Sequence, residues 1–231
     1  MLQNNTAFAA QRTAFYTRCI NAGLYQQTQQ AGRLRYNCRY ARYLTTGSAV
    51  SGAYQFDATG TTLLAVDRDA AVTAYGTVYV LPTEDEWYKA AYLKSDGSAY
   101  SLYATGDSVP GVETDANYDG YNGTYSTPWD VGTGGVAENN GTFYMNGNVW
   151  EWNESAYDGT LDDMAELRVV RGGAFSVSEL GLRSSTRHSY SPESESYLFG
   201  FRVAAIPEPS SIMLVGVAGG FALFIRRRLM V

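Results

Sequence analysis

Residues 147–152 read Gly147-Asn148-Val149-Trp150-Glu151-Trp152. In an extended segment the two tryptophans share one face and Glu151 points to the other. A carboxylate so placed holds either a cation or an arginine, and calcium, Arg171 and Arg202 are the alternatives.

Working outward, Arg171-Gly172-Gly173-Ala174-Phe175 and Gly200-Phe201-Arg202-Val203 follow, and Leu81-Pro82-Thr83-Glu84-Asp85-Glu86-Trp87 precedes. The last of these opens a helix, with Thr83 as N-cap and Glu86 at the capping-box position; Trp87, Ala90, Ala91 and Lys94 continue at helical spacing. Thr77 to Leu81 is a β-rich run. Tyr54 to Phe56 and Leu63 to Val66 alternate like short strands around Asp57-Ala58-Thr59-Gly60. Arg39 to Leu44 closes a helix that the turn residues Thr45-Thr46-Gly47-Ser48 end. Residues 95–142 are dense in Gly, Asn, Asp, Tyr and Thr, and a structureless loop of that length is foreign to a compact domain. Either bound metal organises it, with Asn117, Asp119, Asn122 and Asp130 supplying hard oxygens, or surface turns do.

The chain has 231 residues, most economically one domain, with 45% hydrophobic and 17% charged residues. That excludes disorder driven by charge, coiled coils, collagen and a polytopic membrane protein. Nineteen Tyr and 24 Gly suit loops and short strands better than long helices. Residues 1–56 carry six arginines and no acid, and Arg226, Arg227 and Arg228 close the chain, so residues 57–225 hold eight basic against all 23 acidic residues, a net of −15. Such a surface repels nucleic acid and favours cations. With Cys19 and Cys38 alone, no disulfide framework holds the domain; one bridge and two free thiols are both open.

The four motifs, in this order over residues 75–205, resemble the formylglycine-generating enzyme family, also called sulfatase-modifying factors. The resemblance implies an α+β domain, irregular and loop-rich, of the C-type-lectin-like fold, here over residues 39–205. It also implies calcium. In that family the Gly-Asn-Val-Trp-Glu stretch binds the ion, which carries Gly147, Val149 and Glu151 over as ligands; a second site maps onto Asn117 and Tyr118. Tyr144 stands where the family often has Asn or Asp, so a side-chain ligand is lost there.

Catalysis departs from the pattern. The resembled enzymes oxidise a sulfatase cysteine using copper held by two thiolates shortly after the Arg-Gly-Gly motif, and soft sulfur is what selects cuprous copper. Residues 174–182 here read Ala-Phe-Ser-Val-Ser-Glu-Leu-Gly-Leu, without cysteine. No catalytic residue is assigned and copper is not expected. His188 is the sole histidine, which excludes the several-histidine iron site of related sulfoxide synthases; it reads as a surface residue rather than part of a Ser-His-Asp arrangement. Glu84 with Glu86, or Asp162 with Asp163, reads as capping and solubility rather than a glycosidase pair.

Ile206-Pro207-Glu208-Pro209-Ser210-Ser211 leads into fourteen apolar or small residues, Ile212 to Ile225, and then Arg226-Arg227-Arg228. The run is short of the roughly 20 residues that a membrane helix needs, and Ser210, Ser211 and a snorkelling arginine extend it into a membrane helix over 210–225, its basic end held in the cytoplasm. Residues 206–231 resemble a PEP-CTERM sorting signal, which implies an exosortase-type enzyme as partner, anchoring in the inner membrane, and then release to the envelope or outside the cell. Export also calls for a signal peptide, and residues 1–30 show no apolar core for one. Residues 1–38 are therefore unassigned, as expected of a wrong start or a truncation. The expected function is that of an exported, non-catalytic binding or matrix module for a polysaccharide or protein ligand; the alternative is a formylglycine-generating oxidoreductase.

Overall fold

In the computed structural model the described residues are 19–20, 34–119, 127–130, 134–160 and 163–207. Strand β1, Cys19–Ile20, is followed by helix α1, Leu34–Thr46, whose Leu34, Asn37, Cys38, Ala41 and Arg42 form one buried face. The helix therefore starts before residue 39, and the boundary drawn there from sequence falls inside it. Cys38 is a free thiol, 1% exposed, so no bridge joins it to Cys19.

Strands β2, Tyr54–Phe56, and β3, Leu63–Val66, make an antiparallel hairpin. The Asp57 carboxylate holds its turn, accepting from the N–H groups of Thr61 at 2.8 Å and Thr62 at 3.3 Å. Helix α2, Arg68–Tyr75, leads into β4, Val78–Val80, and Pro82 then opens helix α3, Glu84–Tyr92. The capping box expected from Thr83 and Glu86 is present: Glu86 N–H donates to Thr83 Oγ1 at 3.2 Å, and Thr83 N–H to Glu86 Oε2 at 2.8 Å. Lys94 lies beyond the helix, after Leu93 takes an extended conformation.

The main sheet combines β1 with β5, Trp150–Ala156, β6, Arg168–Arg171, β7, His188–Tyr190, and β8, Phe199–Arg202, in the order β1-β8-β5-β6-β7. Only β5 and β8 run parallel, with Trp150 opposite Phe199 and Trp152 opposite Phe201. Strand β9, Ala204–Ile206, leaves this sheet and pairs antiparallel with β4. The period of two puts Trp150, Trp152, Val170 and Phe199 on one face, where they pack with Leu34, Cys38, Ala41, Tyr54, Val78 and Val80 in the principal core. The other face carries Glu151 and Arg171, which are cross-strand partners. It meets a second, smaller cluster made by Trp87, Ala91, Tyr92, Ala104 and Met145.

This is the α+β, loop-rich arrangement expected. Three of the four tryptophans are buried, and among the described residues the exposed aromatic surface is mostly tyrosine, Tyr43, Tyr75, Tyr100, Tyr157, Tyr190 and Tyr197, with Phe143 beside them. Among the described residues no helix is long and apolar enough to cross a membrane. The helix expected over 210–225 and the sorting residues Glu208, Pro209, Arg226, Arg227 and Arg228 lie outside them.

Candidate functional site

Glu151 is 1% exposed and takes three donors. Trp87 Nε1–H donates to Oε2 at 2.7 Å, Arg202 Nε–H to the same oxygen at 2.5 Å, and Arg202 Nη2–H to Oε1 at 2.7 Å. The second Nη2 contact runs to the carbonyl of Phe143 at 3.2 Å. Of the two arginines open from sequence, Arg202 is the partner. Arg171, though directly across the ladder, turns instead to Glu84, with Nε to Oε1 at 2.9 Å. Arg187 reaches the same Glu84 carboxylate at 2.8 Å, so the glutamate begun as a helix-start residue ties α3 to two arginines. Glu86 is likewise occupied, by Arg68 at 2.9 Å, and the two acids form no catalytic pair.

Asn117 and Gly147 meet in a parallel bridge, which brings the two groups of expected metal ligands together. Asn148, at φ 65°, donates its N–H to the Asn117 carbonyl at 2.7 Å, and its Oδ1 accepts from Asn117 Nδ2 at 3.2 Å and Trp129 N–H at 2.6 Å. Gly147 is required here: at φ +76° an added Cβ would stand 2.3 Å from the Asn117 carbonyl oxygen. Asn117 Oδ1 is buried and has no hydrogen-bond partner among the described residues. Such an orphan is costly unless something fills it.

The described parts of segment 95–142 are held by side chains that reach backbone. Asn146 Oδ1 accepts from Ala104 N–H at 2.6 Å and its Nδ2 donates to Leu182 O at 2.8 Å. Glu138, 7% exposed, accepts from Met145 N–H, Asn146 N–H and the Thr142 hydroxyl. Burial pushes its carboxyl up to about 7, against the opposing charge of Arg202. Neither residue carries a sequence signal: Asn146 acts through backbone some forty positions away on either side, and Glu138 through a loop that returns on it. No cluster of three or more His, Cys, Asp or Glu suited to a metal occurs among the described residues.

At Asn117 the unsatisfied amide oxygen matches a hard cation, while the Tyr118 hydroxyl is spent on Pro110 O and could add only its carbonyl. At Gly147, Val149 and Glu151 the only carboxylate is already neutralised, and Tyr144 turns its hydroxyl to accept from Gly134 N–H at 3.0 Å.

After Gly172 and Gly173 the chain is apolar: Ala174, Phe175 and Leu182 are each at most 2% exposed, and Glu179–Leu182 form a 3-10 helix. His188 is exposed, its ring edge-on to Trp150 at 4.8 Å.

A scan against protein families matches residues 16–206 to the sulfatase-modifying factor enzyme 1-like domain and residues 205–228 to the PEP-CTERM protein-sorting motif. The chain belongs to the sulfatase-modifying factor family. It is 32% identical over 140 residues to the inactive C-alpha-formylglycine-generating enzyme 2 of Mus musculus, a match taking in 54% of this chain and 42% of that protein. The chain thus spans less than half the length of that curated relative. Its fold is shared with Treponema denticola variable protein 1 (TM-score 0.57, 20% identity, 78% of this chain and 70% of that one). CarF is similar in the same way (TM-score 0.55, 22% identity, 77% and 66%). The sorting motif implies export and processing by an exosortase.

Proposed function

We propose that this is a non-catalytic member of its family, an exported binding module of the cell envelope or extracellular matrix. The observation that carries this reading is the thiol inventory. Residues 174–182, where the copper-binding cysteines belong, offer none. Cys38 is sealed in the core at 1% exposure, its thiol pushed well above the usual range by that burial, so it provides no accessible thiolate. Cys19 lies on β1 and is the only other cysteine in the chain. The likeness to an inactive relative agrees with this. The exposed tyrosines supply rigid, amphipathic contact area suited to a polysaccharide or protein ligand. Calcium belongs to the proposal at Asn117 and Tyr118, where it would complete the orphaned Asn117 oxygen.

The test pairs activity with binding. Purified protein is incubated with cuprous ion, oxygen, reductant and a sulfatase-type peptide, and cysteine-to-aldehyde conversion is followed by mass spectrometry; a glycan array run in parallel reads binding. Conversion no greater than a metal-only control, with saturable binding, is expected. Turnover above that control would overturn the reading in favour of an oxidoreductase.

A further inference from the structure

Glu151 is the only acidic residue in the Gly147 to Glu151 stretch, so its carboxylate decides whether a divalent cation can live there. Both oxygens are spent. Three N–H donors converge on them from Trp87 and Arg202, at 2.5 to 2.7 Å, in a site from which water is excluded. The guanidinium also takes the carbonyl of Phe143, so it sits among three protein oxygens as a small cation would. Opposite Glu151 on β8 stands Gly200, which adds no side chain that could relieve the arginine. Calcium asks for six to eight oxygens. Here the nearest replaced position, Tyr144, directs its hydroxyl to Gly134 instead.

We infer that Arg202 is the resident cation of the Glu151 site, a covalently supplied guanidinium that occupies both carboxylate oxygens, so that with Tyr144 supplying no side-chain ligand this half of the site is closed to metal. The consequence is mechanical as well as chemical. A calcium ion links ligands that are lost with the ion, whereas Arg202 ties β8 to β5 and to the 143–151 segment permanently and without regard to external calcium. The inference does not depend on whether Asn117 binds the ion.

Two measurements test it. In the first, calcium is titrated into 15N-labelled full-length protein while the indole Nε1–H resonance of Trp87, assigned by its loss in Trp87→Phe, is followed. Trp87 donates to the very oxygen a metal would take, so an unmoved resonance at saturating calcium is expected and a calcium-dependent displacement overturns the inference. In the second, the shift in melting temperature between excess calcium and chelator is compared for the wild type, Asn117→Ala and the charge-neutral pair Glu151→Gln with Arg202→Gln. The pair is expected to keep the wild-type shift whatever its size. A shift that is present in the wild type and lost in the pair overturns the inference. A shift absent from both leaves it standing and removes calcium from Asn117 instead.

Discussion

Trp87 Nε1–H and Arg202 Nε–H donate to the same oxygen of Glu151, one from helix α3 and one from strand β8. A single carboxylate thereby joins the first and last of the four family motifs through the second. Removing its charge alone in Glu151→Gln strands a buried guanidinium and should cost about 3 to 5 kcal/mol. Trp87→Phe, which loses one donor and little volume, should cost about 1 to 3 kcal/mol. Urea unfolding of the two variants checks this, and equal costs would show that the indole bond is the dominant tie.

Glu138 gives the fold a pH dependence with a defined sign. Its carboxyl is raised from 4.5 to about 7 by burial, so the folded state holds a proton that the unfolded state releases. Its contribution to stability is therefore complete below pH 4.5 and is lost as the pH rises through about 7. Glu138→Gln keeps an acceptor for Met145 and Asn146 N–H and has no charge to bury. Unfolding midpoints across this window should fall for the wild type and fall less for the variant, which should be the more stable of the two above neutrality.

Gly147→Ala and Gly141→Ala separate strain from collision. Both glycines have positive φ, +76° and +73°, but only at Gly147 does a Cβ meet a neighbour, the Asn117 carbonyl at 2.3 Å. Gly141→Ala should cost about 1 to 2 kcal/mol, the left-handed penalty alone. Gly147→Ala should cost clearly more and disturb the Asn117 bridge, which thermal melts and the Asn148 amide resonance would report.

Truncation should find the end of the fold. A chain stopped after Pro207 keeps β9 and should match the melting of the full domain, while one stopped after Val203 loses the burial of Ala204 and the packing of Ile206, on the order of 2 kcal/mol. In a host without exosortase the full chain should fractionate with membranes and the chain ending at Pro207 should not. A full chain recovered in the soluble fraction would remove the membrane role from 210–225.

What could be read from the residues in advance was what is local. The Thr83–Glu86 box, the hairpin about Asp57 and the β4 run depend on neighbours within a few positions, and all are present. The partner of Glu151 was open between two arginines because Arg171 and Arg202 both project to its face of the sheet, and strand parity does not choose between them. The choice is made by Glu84, which claims Arg171 from a helix 87 positions earlier in the chain. Segment 95–142 was illegible for a related reason: its described parts are held by Asn146, which bonds Ala104 and Leu182, and by Glu138, which bonds Thr142, Met145 and Asn146, and any Asn or Glu in a polar loop looks the same.

The antiparallel register of β9 on β4 places Ile206 opposite Val78, at the end from which the sorting segment departs. Were the chain anchored beyond Pro207 as proposed, tension would act on the Ile206 pair first, then on Ala205 with Tyr79, then on Ala204 with Val80, so the ribbon would peel one rung at a time instead of resisting as a block. Strand β8, clasped on both sides by β1 and β5, is loaded only after β9 has yielded. Under the proposed anchoring the ribbon would act as a mechanical fuse between the anchor and the Glu151 site, so that pulling on the chain beyond Pro207 would cost three residue pairs before it reached the Glu151–Arg202 pair.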